Sequence, residues 1–256
     1  MSVPKKIVSL CPSITETLID LGLTDALAGI TRFCIHPESV VRDLTKVGGT
    51  KDPDLEQIRH LDPDLIFMNA EENRKEDYDA LAQTFELDVS EPRSVQEIPA
   101  LLRHFGQRTN RTDRAETRAQ ELEAELAALQ AEQGKNQTQF SYSYLIWRKP
   151  WMVVGQDTYV SKLFADAGGI NVFADDPQRY PSIELSALAE KNPDFIFLAD
   201  EPFPFQGSHV PEIQAICPNA KVRVISGDDC CWHGVRSIRG VQTMRKLVEE
   251  LAQLNA

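Results

Sequence analysis

The chain has 256 residues, of which 42% are hydrophobic and 26% are charged. This length allows one large α/β domain or two smaller lobes, and the composition is that of a globular protein with a sizeable core, which excludes disordered and collagen-like chains. The formal charge of −12 disfavours nucleic-acid binding, because the average surface repels phosphate.

The start of the chain and its cysteines indicate the cellular compartment of the protein. No apolar run approaches the roughly 18 residues that a membrane-spanning helix needs, and residues 1–6 lead directly into a short apolar strand at residues 7–10. The cysteines are Cys11, Cys34, Cys217, Cys230 and Cys231. Their odd number and irregular spacing favour a reducing compartment over a disulfide framework. The sequence as written predicts a cytoplasmic protein, and a periplasmic one if a signal peptide has been removed.

Strands and helices alternate in the first part of the chain. After the strand at residues 7–10, Ser13 and Glu16 form an S-x-x-E capping box that predicts a helix ending at Gly22. A helix containing Leu55, Ile58 and Leu61, a strand at 65–68 and a helix containing Tyr78, Leu81 and Phe85 follow. This alternation predicts a parallel sheet.

The middle of the chain is predicted to be helical. Residues 112–133 are rich in Ala, Glu, Gln and Leu, and Gly134 is the predicted stop, which gives one helix of roughly 22 residues and about 33 Å. Residues 94–106 predict a further helical segment, in which Pro99 disturbs the first turn. A helix of this kind would hold two lobes at a fixed separation, which a Gly/Ser linker would not.

The alternation resumes after Gly134. The predicted elements are a strand at 140–147, helices at 158–167 and 182–191, strands at 195–198 and 222–225, and a final amphipathic helix containing residues 241–251. We therefore predict an α/β protein with an N-terminal lobe at 1–93, a spanning helical segment at 94–136 and a C-terminal lobe at 137–256.

An internal repeat relates the two halves. Residues 54–71 and 184–201 match at a constant offset of 130, with P-D-x-I-F ahead of an acidic residue in both copies. Pro-Asp before a buried strand is also common turn chemistry. Because the register holds over the whole segment, we favour two structurally equivalent lobes.

Aromatic residues are concentrated in the loops that follow the predicted strands. Ligands of open α/β sheets bind beyond the carboxyl ends of the strands. The candidate ligand-binding residues there are Phe33, Trp147, Trp151, Tyr180, Trp232 and Arg236. As a set they predict an apolar floor for a flat or bulky ligand, whereas each aromatic residue taken alone is better explained by core packing.

Cysteine and histidine occur in the same loops. Cys34, His36 and His233 are candidate ligands for a transition metal, expected to face each other across a cleft, although a buried small hydrophobe is the simpler explanation for each cysteine. The alternative functions are a cytosolic hydrolase or transferase with Cys34 or Cys230 as nucleophile, or a metal carrier that uses Cys34, His36 and His233. The sequence contains no G-x-S-x-G, Walker, H-E-x-x-H or G-x-G-x-x-G motif.

Acidic residues follow corresponding strands of the two copies. Glu71 and Glu72 follow the first, and Glu201 follows the second. One interpretation is that they belong to a solvated acidic surface. The other is that one acid at the tip of each lobe binds one of two symmetry-related basic sites on a dimeric partner.

Four segments carry a resemblance to a known family. They are the opening residues 7–16, Gly48-Gly49-Thr50 running into residues 55–58, the strand Pro63-Asp64-Leu65-Ile66, and Trp232-His233-Gly234. They resemble the helical-backbone substrate-binding proteins of ABC importers, which take up cobalamin, haem and iron-siderophore complexes. The resemblance covers about residues 5–253 and is closest to the cobalamin-binding branch.

The resemblance implies a fold like that of the class III periplasmic binding proteins, with two Rossmann-like lobes joined by one long helix and the ligand between them. It implies a non-catalytic protein that binds a corrinoid, tetrapyrrole or other metal chelate through its aromatic residues, without a covalent cofactor. It also implies that Glu71 and Glu201 dock onto arginines of a permease dimer. Cys34 and His36 stand where the cobalamin branch tends to have a Tyr-containing segment, which favours a metal ion or a smaller metal chelate.

Overall fold

The chain forms two compact α/β units in a computed structural model that describes residues 3–137 and 139–254. Unit 1 comprises the residues up to Pro92, Glu97–Glu121 and His233–Arg236, and unit 2 comprises Arg93–Gln96, Leu122–Trp232 and the residues from Ser237 onwards. The segment His233–Arg236 therefore belongs to unit 1, although the predicted C-terminal lobe contains it.

Unit 1 is built on a parallel sheet. Its strands are β1 (Ile7–Ser9), β2 (Leu27–Ile30), β3 (Leu65–Asn69) and β4 (Leu87–Ser90), in the spatial order β2-β1-β3-β4. Its helices are α1 (Pro12–Asp20), α2 (Glu38–Val41), α3 (Leu55–Leu61), α4 (Lys75–Leu81), α5 (Ile98–Thr109) and the first part of α6 (Thr112–Asn136).

Both faces of this sheet are covered. Every residue of β3 is buried, as expected for a strand inside a parallel α/β sheet. Alternate side chains enter separate clusters: Phe67 packs in the cluster of α1, and Met68 packs in the cluster of α3. The predicted strand–helix alternation of the first lobe is thus present.

Unit 2 is built on a mixed sheet. Its strands are β5 (Phe140–Trp147), β6 (Trp151–Val153), β7 (Gly169–Asn171), β8 (Ser182–Ile183), β9 (Phe195–Ala199) and β10 (Lys221–Ile225). The order is β10-β9-β5-β6-β8, with β7 also pairing with β5. The strands β5, β7, β9 and β10 are parallel, whereas β6 and β8 are antiparallel to their neighbours. Its helices are the second part of α6, α7 (Tyr159–Asp166), α8 (Leu185–Lys191), α9 (Val210–Ile216), α10 (Gly227–Cys231) and α11 (Arg236–Leu254), whose first residue belongs to unit 1.

The internal repeat is structural. Helices α3 and α8, and strands β3 and β9, begin and end at positions that differ by 130 in both pairs. The aspartates of the two P-D pairs have equivalent partners. Asp64 Oδ2 accepts hydrogen bonds from the backbone N–H of Lys5 (2.7 Å) and Lys6 (2.9 Å), and Asp194 Oδ2 accepts them from Ser141 N (2.7 Å) and Oγ (2.7 Å). Each carboxylate ties its strand to the start of the neighbouring parallel strand.

Three local predictions were wrong. Helix α1 begins at Pro12 with Cys11 as N-cap, so Ser13 and Glu16 do not form the predicted capping box, and both side chains contact other parts of unit 1. Gly134 does not end α6, which continues to Asn136. Ser182–Ile183 forms a short strand rather than the start of α8, because it pairs with β6.

Within the described part of the chain, no helix has both the length and the apolar character needed to cross a membrane.

Candidate functional site

The loops at the carboxyl edge of the unit 1 sheet carry several of the candidate residues. Cys11 to Ser13 follow β1, Phe33 follows β2 and Glu71 follows β3, and the three strands are parallel. The ring of Phe33 is exposed, and the guanidinium of Arg32 lies 4.8 Å from its centre. Arg32 also pairs with Asp52 at 2.9 Å, so a fixed cation borders an open aromatic face.

Two buried asparagines fix the turn that presents Glu71. Asn69 Oδ1 accepts hydrogen bonds from the backbone N–H groups of Glu71 and Glu72, both at 3.0 Å. Asn73 Oδ1 accepts one from Asn69 N (2.8 Å), and Asn73 Nδ2 donates to the carbonyl oxygens of Leu10 (2.9 Å) and Thr50 (3.0 Å). Sequence reasoning missed both asparagines, although a polar amide at the end of an apolar strand was a usable signal.

A lysine adds to this support. Lys51 Nζ donates to the carbonyl oxygen of Glu71 at 2.7 Å. The backbone of the Glu71 turn is thus held from three sides, which places the acid at a defined position of the sheet edge.

The segment His233–Arg236 packs against α1 within unit 1. Arg236 donates to Glu16 from Nε (2.8 Å to Oε2) and from Nη2 (2.6 Å to Oε1). The two side chains are 6% and 15% exposed, so this is a buried bidentate ion pair. The N–H of Val235 donates to Thr17 Oγ1 at 3.2 Å.

Glycine is required within this segment. Gly234 has φ of +82°, and a Cβ there would lie 2.1 Å from Thr17 Oγ1. Both the left-handed backbone and the close approach to α1 exclude a side chain. Gly234 of the Trp232-His233-Gly234 motif is therefore explained by packing against α1.

His233 is a structural residue of unit 1. Its two ring nitrogens, Nδ1 and Nε2, each lie 3.2 Å from Ser13 Oγ, and burial lowers its pKa to about 4. The prediction that His233 faces Cys34 and His36 from the opposite lobe was wrong, because all three residues lie in unit 1.

The predicted metal site is not formed. Cys34 is buried with its Sγ 3.1 Å from Thr15 Oγ1 and 3.2 Å from Thr31 Oγ1, while His36 is half-buried in the following loop. Among the described residues, no group of three or more His, Cys, Asp or Glu side chains could hold a metal ion. Arg236 is likewise corrected: its Nε and Nη2 both donate to Glu16 and its side chain is 6% exposed, so it is an internal partner rather than a ligand-binding side chain.

The candidate nucleophiles are inert thiols. Burial raises the pKa of Cys230 to about 12, and burial also raises the pKa of Cys34. The thiolate is the reactive form of cysteine, and it is disfavoured at both positions near neutral pH. The geometry therefore gives no support to the hydrolase or transferase alternative.

Unit 2 carries a cluster of four aromatic residues. Trp147 ends β5, Trp151 begins β6, and the short connection between these antiparallel strands brings them close to Phe203 and Phe205. Trp147 meets Phe203 edge-on with ring centres 5.7 Å apart, and Trp151 stacks on Phe205 at 6.2 Å. Trp147 is exposed, whereas Trp151 is half-buried against the core. Phe203 and Phe205 were missed, although the F-P-F sequence was a visible signal.

Arginines lie over the aromatic rings of this unit as well. Arg148 lies 5.6 Å from the Trp151 ring and pairs with Glu212 at 3.0 Å. Arg179 lies 5.6 Å from the exposed ring of Tyr180 and donates from Nε to the carbonyl oxygen of Asp157 at 2.9 Å. Trp232 departs from this pattern because it is buried, with 7% of its surface exposed, and so offers little ring surface to a ligand.

Glu201 is supported differently from its counterpart Glu71. The thiol of Cys231 donates to Glu201 Oε2 at 3.4 Å, and Asp200 Oδ1 accepts from the N–H of Gly227 at 2.7 Å. A Cβ on Gly227 would lie 2.6 Å from the carbonyl oxygen of Glu201, so α10 packs tightly against this turn. Both acidic turns are well fixed, one by amides and a lysine and one by a helix.

Comparison with known proteins identifies the family. The profile of the family described as "Periplasmic binding protein" matches residues 7–212. The chain belongs to this family. A curated relative, the vitamin B12-binding protein of Vibrio campbellii, is 27% identical over 195 residues, which are 75% of this chain and 70% of the relative.

Solved structures share the fold of this chain. The periplasmic vitamin B12 binding protein of Vibrio cholerae has a TM-score of 0.86 at 24% identity and covers 98% of both chains. The apo periplasmic heme-binding protein of Roseiflexus sp. RS-1 has a TM-score of 0.83 at 21% identity and covers 97% of this chain and 99% of that one. The predicted fold class and family are confirmed, and the chain is a non-catalytic substrate-binding protein of the kind that serves ABC importers.

The buried ion pair gives a testable stability effect. Arg236→Ala should lower the free energy of unfolding by about 3 kcal/mol, because it leaves the Glu16 carboxylate buried without its partner. Lys75→Ala is the control: it removes an ion pair with Asp79 whose side chains are well exposed, and should leave the free energy of unfolding nearly unchanged. Urea unfolding at neutral pH measures both, and equal losses would contradict the structural role of Arg236.

The depressed pKa of His233 gives a pH dependence with a definite sign. The unfolded chain takes up a proton on this residue near pH 6.5, whereas the native protein does so near pH 4. Stability is therefore lost as the pH falls through this window. Between pH 7 and pH 4.5 the wild type should lose about 2 kcal/mol more than His233→Gln, which does not titrate. Parallel urea titrations at the two pH values check this, and an identical loss in both proteins would show that His233 titrates normally.

Proposed function

We propose that the chain binds a corrinoid or tetrapyrrole metal chelate and delivers it to the membrane subunits of an ABC importer. The observation that carries the ligand assignment is a repeated arrangement at the sheet edges, in which an arginine lies over each of three aromatic rings, Phe33, Trp151 and Tyr180. The relatives named for vitamin B12 and heme binding support the same ligand class.

The arrangement suits a large flat chelate. Phe33, Trp147 and Tyr180 are all exposed, and exposed aromatic faces bury the apolar surface of a planar macrocycle at little entropic cost. The neighbouring arginines can donate to carboxylates, amides or phosphate at the periphery of the ligand. The proposed ligand-contacting residues are therefore Phe33 in unit 1 and Trp147, Trp151 and Tyr180 in unit 2.

The proposal requires no protein ligand to the metal of the chelate. Cys34 and His233 are buried and hydrogen-bonded inside unit 1. Recognition then rests on the ring system and its side groups, and the residues present fit a macrocycle better than a bare ion.

Removing an exposed aromatic ring should weaken binding selectively. Cyanocobalamin and haemin are each titrated into the purified protein, and binding is followed by absorbance. We expect at least one of the two chelates to bind. Phe33→Ala and Trp147→Ala should each weaken its affinity more than tenfold with a nearly unchanged melting temperature, because both rings are exposed. Ile170→Ala, an exposed apolar residue on β7, is the control and should change neither quantity. Failure of both chelates to bind the wild type, or normal affinity in both variants, would refute the ligand assignment.

The delivery step is assigned to Glu71 and Glu201. The two acids follow the equivalent strands β3 and β9, and each lies on a turn fixed by its own unit. Pairing with arginines on the two subunits of a permease dimer would use this duplication directly.

Transport should depend on both acids. Glu71→Ala and Glu201→Ala should each reduce uptake of the bound chelate strongly in cells that lack the wild-type gene, because each leaves a basic cluster of the permease unpaired. The affinity of the purified variants for the chelate should stay unchanged. Glu56→Ala and Glu190→Ala remove exposed acids elsewhere in the two copies of the repeat and should transport normally. A loss of chelate affinity with either docking variant would instead place that glutamate in the binding site.

A further inference from the structure

A groove of about 410 Å³ lies in unit 1 beside the Glu71 turn. Its apolar walls are Met68, Tyr78 and Val89, and Ala70, the residue before Glu71, belongs to the same lining. Tyr78 is 40% exposed and Val89 is 44% exposed, so two large apolar side chains stand open to solvent at one place. A site of this size and polarity accepts an apolar group.

The repeat shows what the corresponding place in unit 2 contains. In that unit the chain between β9 and α9 carries Phe203 and Phe205, and Phe205 is buried in one core cluster with Leu198 and Ile213. In unit 1 the chain between β3 and α4 reads A-E-E-N-R and carries no aromatic residue. Unit 2 packs its own aromatic ring into the cluster of Leu198, the counterpart of Met68, whereas the corresponding chain of unit 1 supplies no ring there.

The polar groups of the groove are already engaged. Asn69 and Asn73 are bonded to the backbone, Arg74 pairs with Asp77 at 2.9 Å, and Lys75 pairs with Asp79 at 2.6 Å. The groove therefore selects its occupant by apolar contact rather than by hydrogen bonding.

The charge around the groove indicates which residues should flank the apolar group of a partner. Residues 71–79 contain five acidic and two basic side chains and have a formal charge of −3. A partner that brings an apolar side chain into the groove would be favoured by basic residues on either side of it.

We propose that the groove receives an apolar side chain, flanked by arginine or lysine, from the importer's membrane subunit when Glu71 docks. This inference rests on the proposed function, because the groove is continuous through Ala70 with the turn that presents the docking acid. It adds a second, apolar contact on unit 1, so the two units bind the permease dimer unequally although their acids are equivalent.

The test measures binding of fluorescently labelled protein to right-side-out membrane vesicles from the native host. Tyr78→Ala should weaken this binding at least fivefold, and Tyr78→Phe should retain it, because the ring and not the hydroxyl fills the wall. Val89→Lys places a cation in the groove and should weaken binding at least as much. Val224→Lys is its matched control, since Val224 pairs with Leu198 in unit 2 as Val89 pairs with Met68 in unit 1, and both valines are exposed. It should bind like the wild type.

The outcomes separate this inference from the proposed function. Vesicle binding by the wild type that is lost in Glu71→Ala but unchanged in Tyr78→Ala and Val89→Lys would overturn the groove and leave the docking role intact. Absence of vesicle binding by the wild type would overturn both. A change in cyanocobalamin or haemin affinity in Tyr78→Ala would make the groove part of a ligand site, and self-association of the wild type that Val89→Lys abolishes would make a second copy its occupant. Each of these last two results overturns the proposal.

Discussion

The buried ion pair between Glu16 and Arg236 governs how unit 1 is put together. Glu16 lies on α1, the helix that follows β1, and Arg236 arrives from the far end of the chain. A bidentate pair with so little exposure is stable only when both partners are present, so the segment His233–Arg236 must pack on α1 for the unit to be complete. The glycine at 234 and the hydroxyl of Thr17 then fix the approach of the two backbones. The first unit is therefore not a continuous piece of sequence.

The same packing makes the side chains that follow β1 unreactive. Ser13 contacts His233 rather than solvent, Cys11 is buried beside Ser13 at 3.3 Å, and burial raises the pKa of the Cys11 thiol to about 12. A neutral imidazole beside a neutral thiol and a hydroxyl is a structural polar network, not a nucleophile with its base. The sheet edges still expose aromatic rings with arginines beside them, such as Phe33 and Tyr180, as expected for a protein that binds and releases a ligand unchanged.

The sequence predicted those parts of the structure that are set by local patterns. Helices with apolar periodicity and strands such as β3 and β9 could be located because their signals lie within a few residues. The roles of Ser13, Glu16, His233 and Arg236 could not, since each depends on a partner more than two hundred residues away. Taken alone, Ser13 and Glu16 were reasonably interpreted as a capping box, and His233 as a metal ligand. Both interpretations are wrong for the same reason, which is the long-range contact between α1 and the segment His233–Arg236. Short strands such as β6 and β8 carry too few residues for periodicity and depend on pairing.

Some features of the internal repeat are the same in both units, and others differ. Asp64 and Asp194 hold the backbone in the same way, which makes the strand and its acidic tip a rigid repeated frame. The chain just beyond that frame differs: in unit 2 it folds Phe205 into the core, and in unit 1 its hydrogen bonds go to Asn69 and Asn73 and Tyr78 is left exposed. In the proposed docking, equivalent acids on unlike surroundings would contact two subunits with the same charge and yet present each subunit with a different apolar surface.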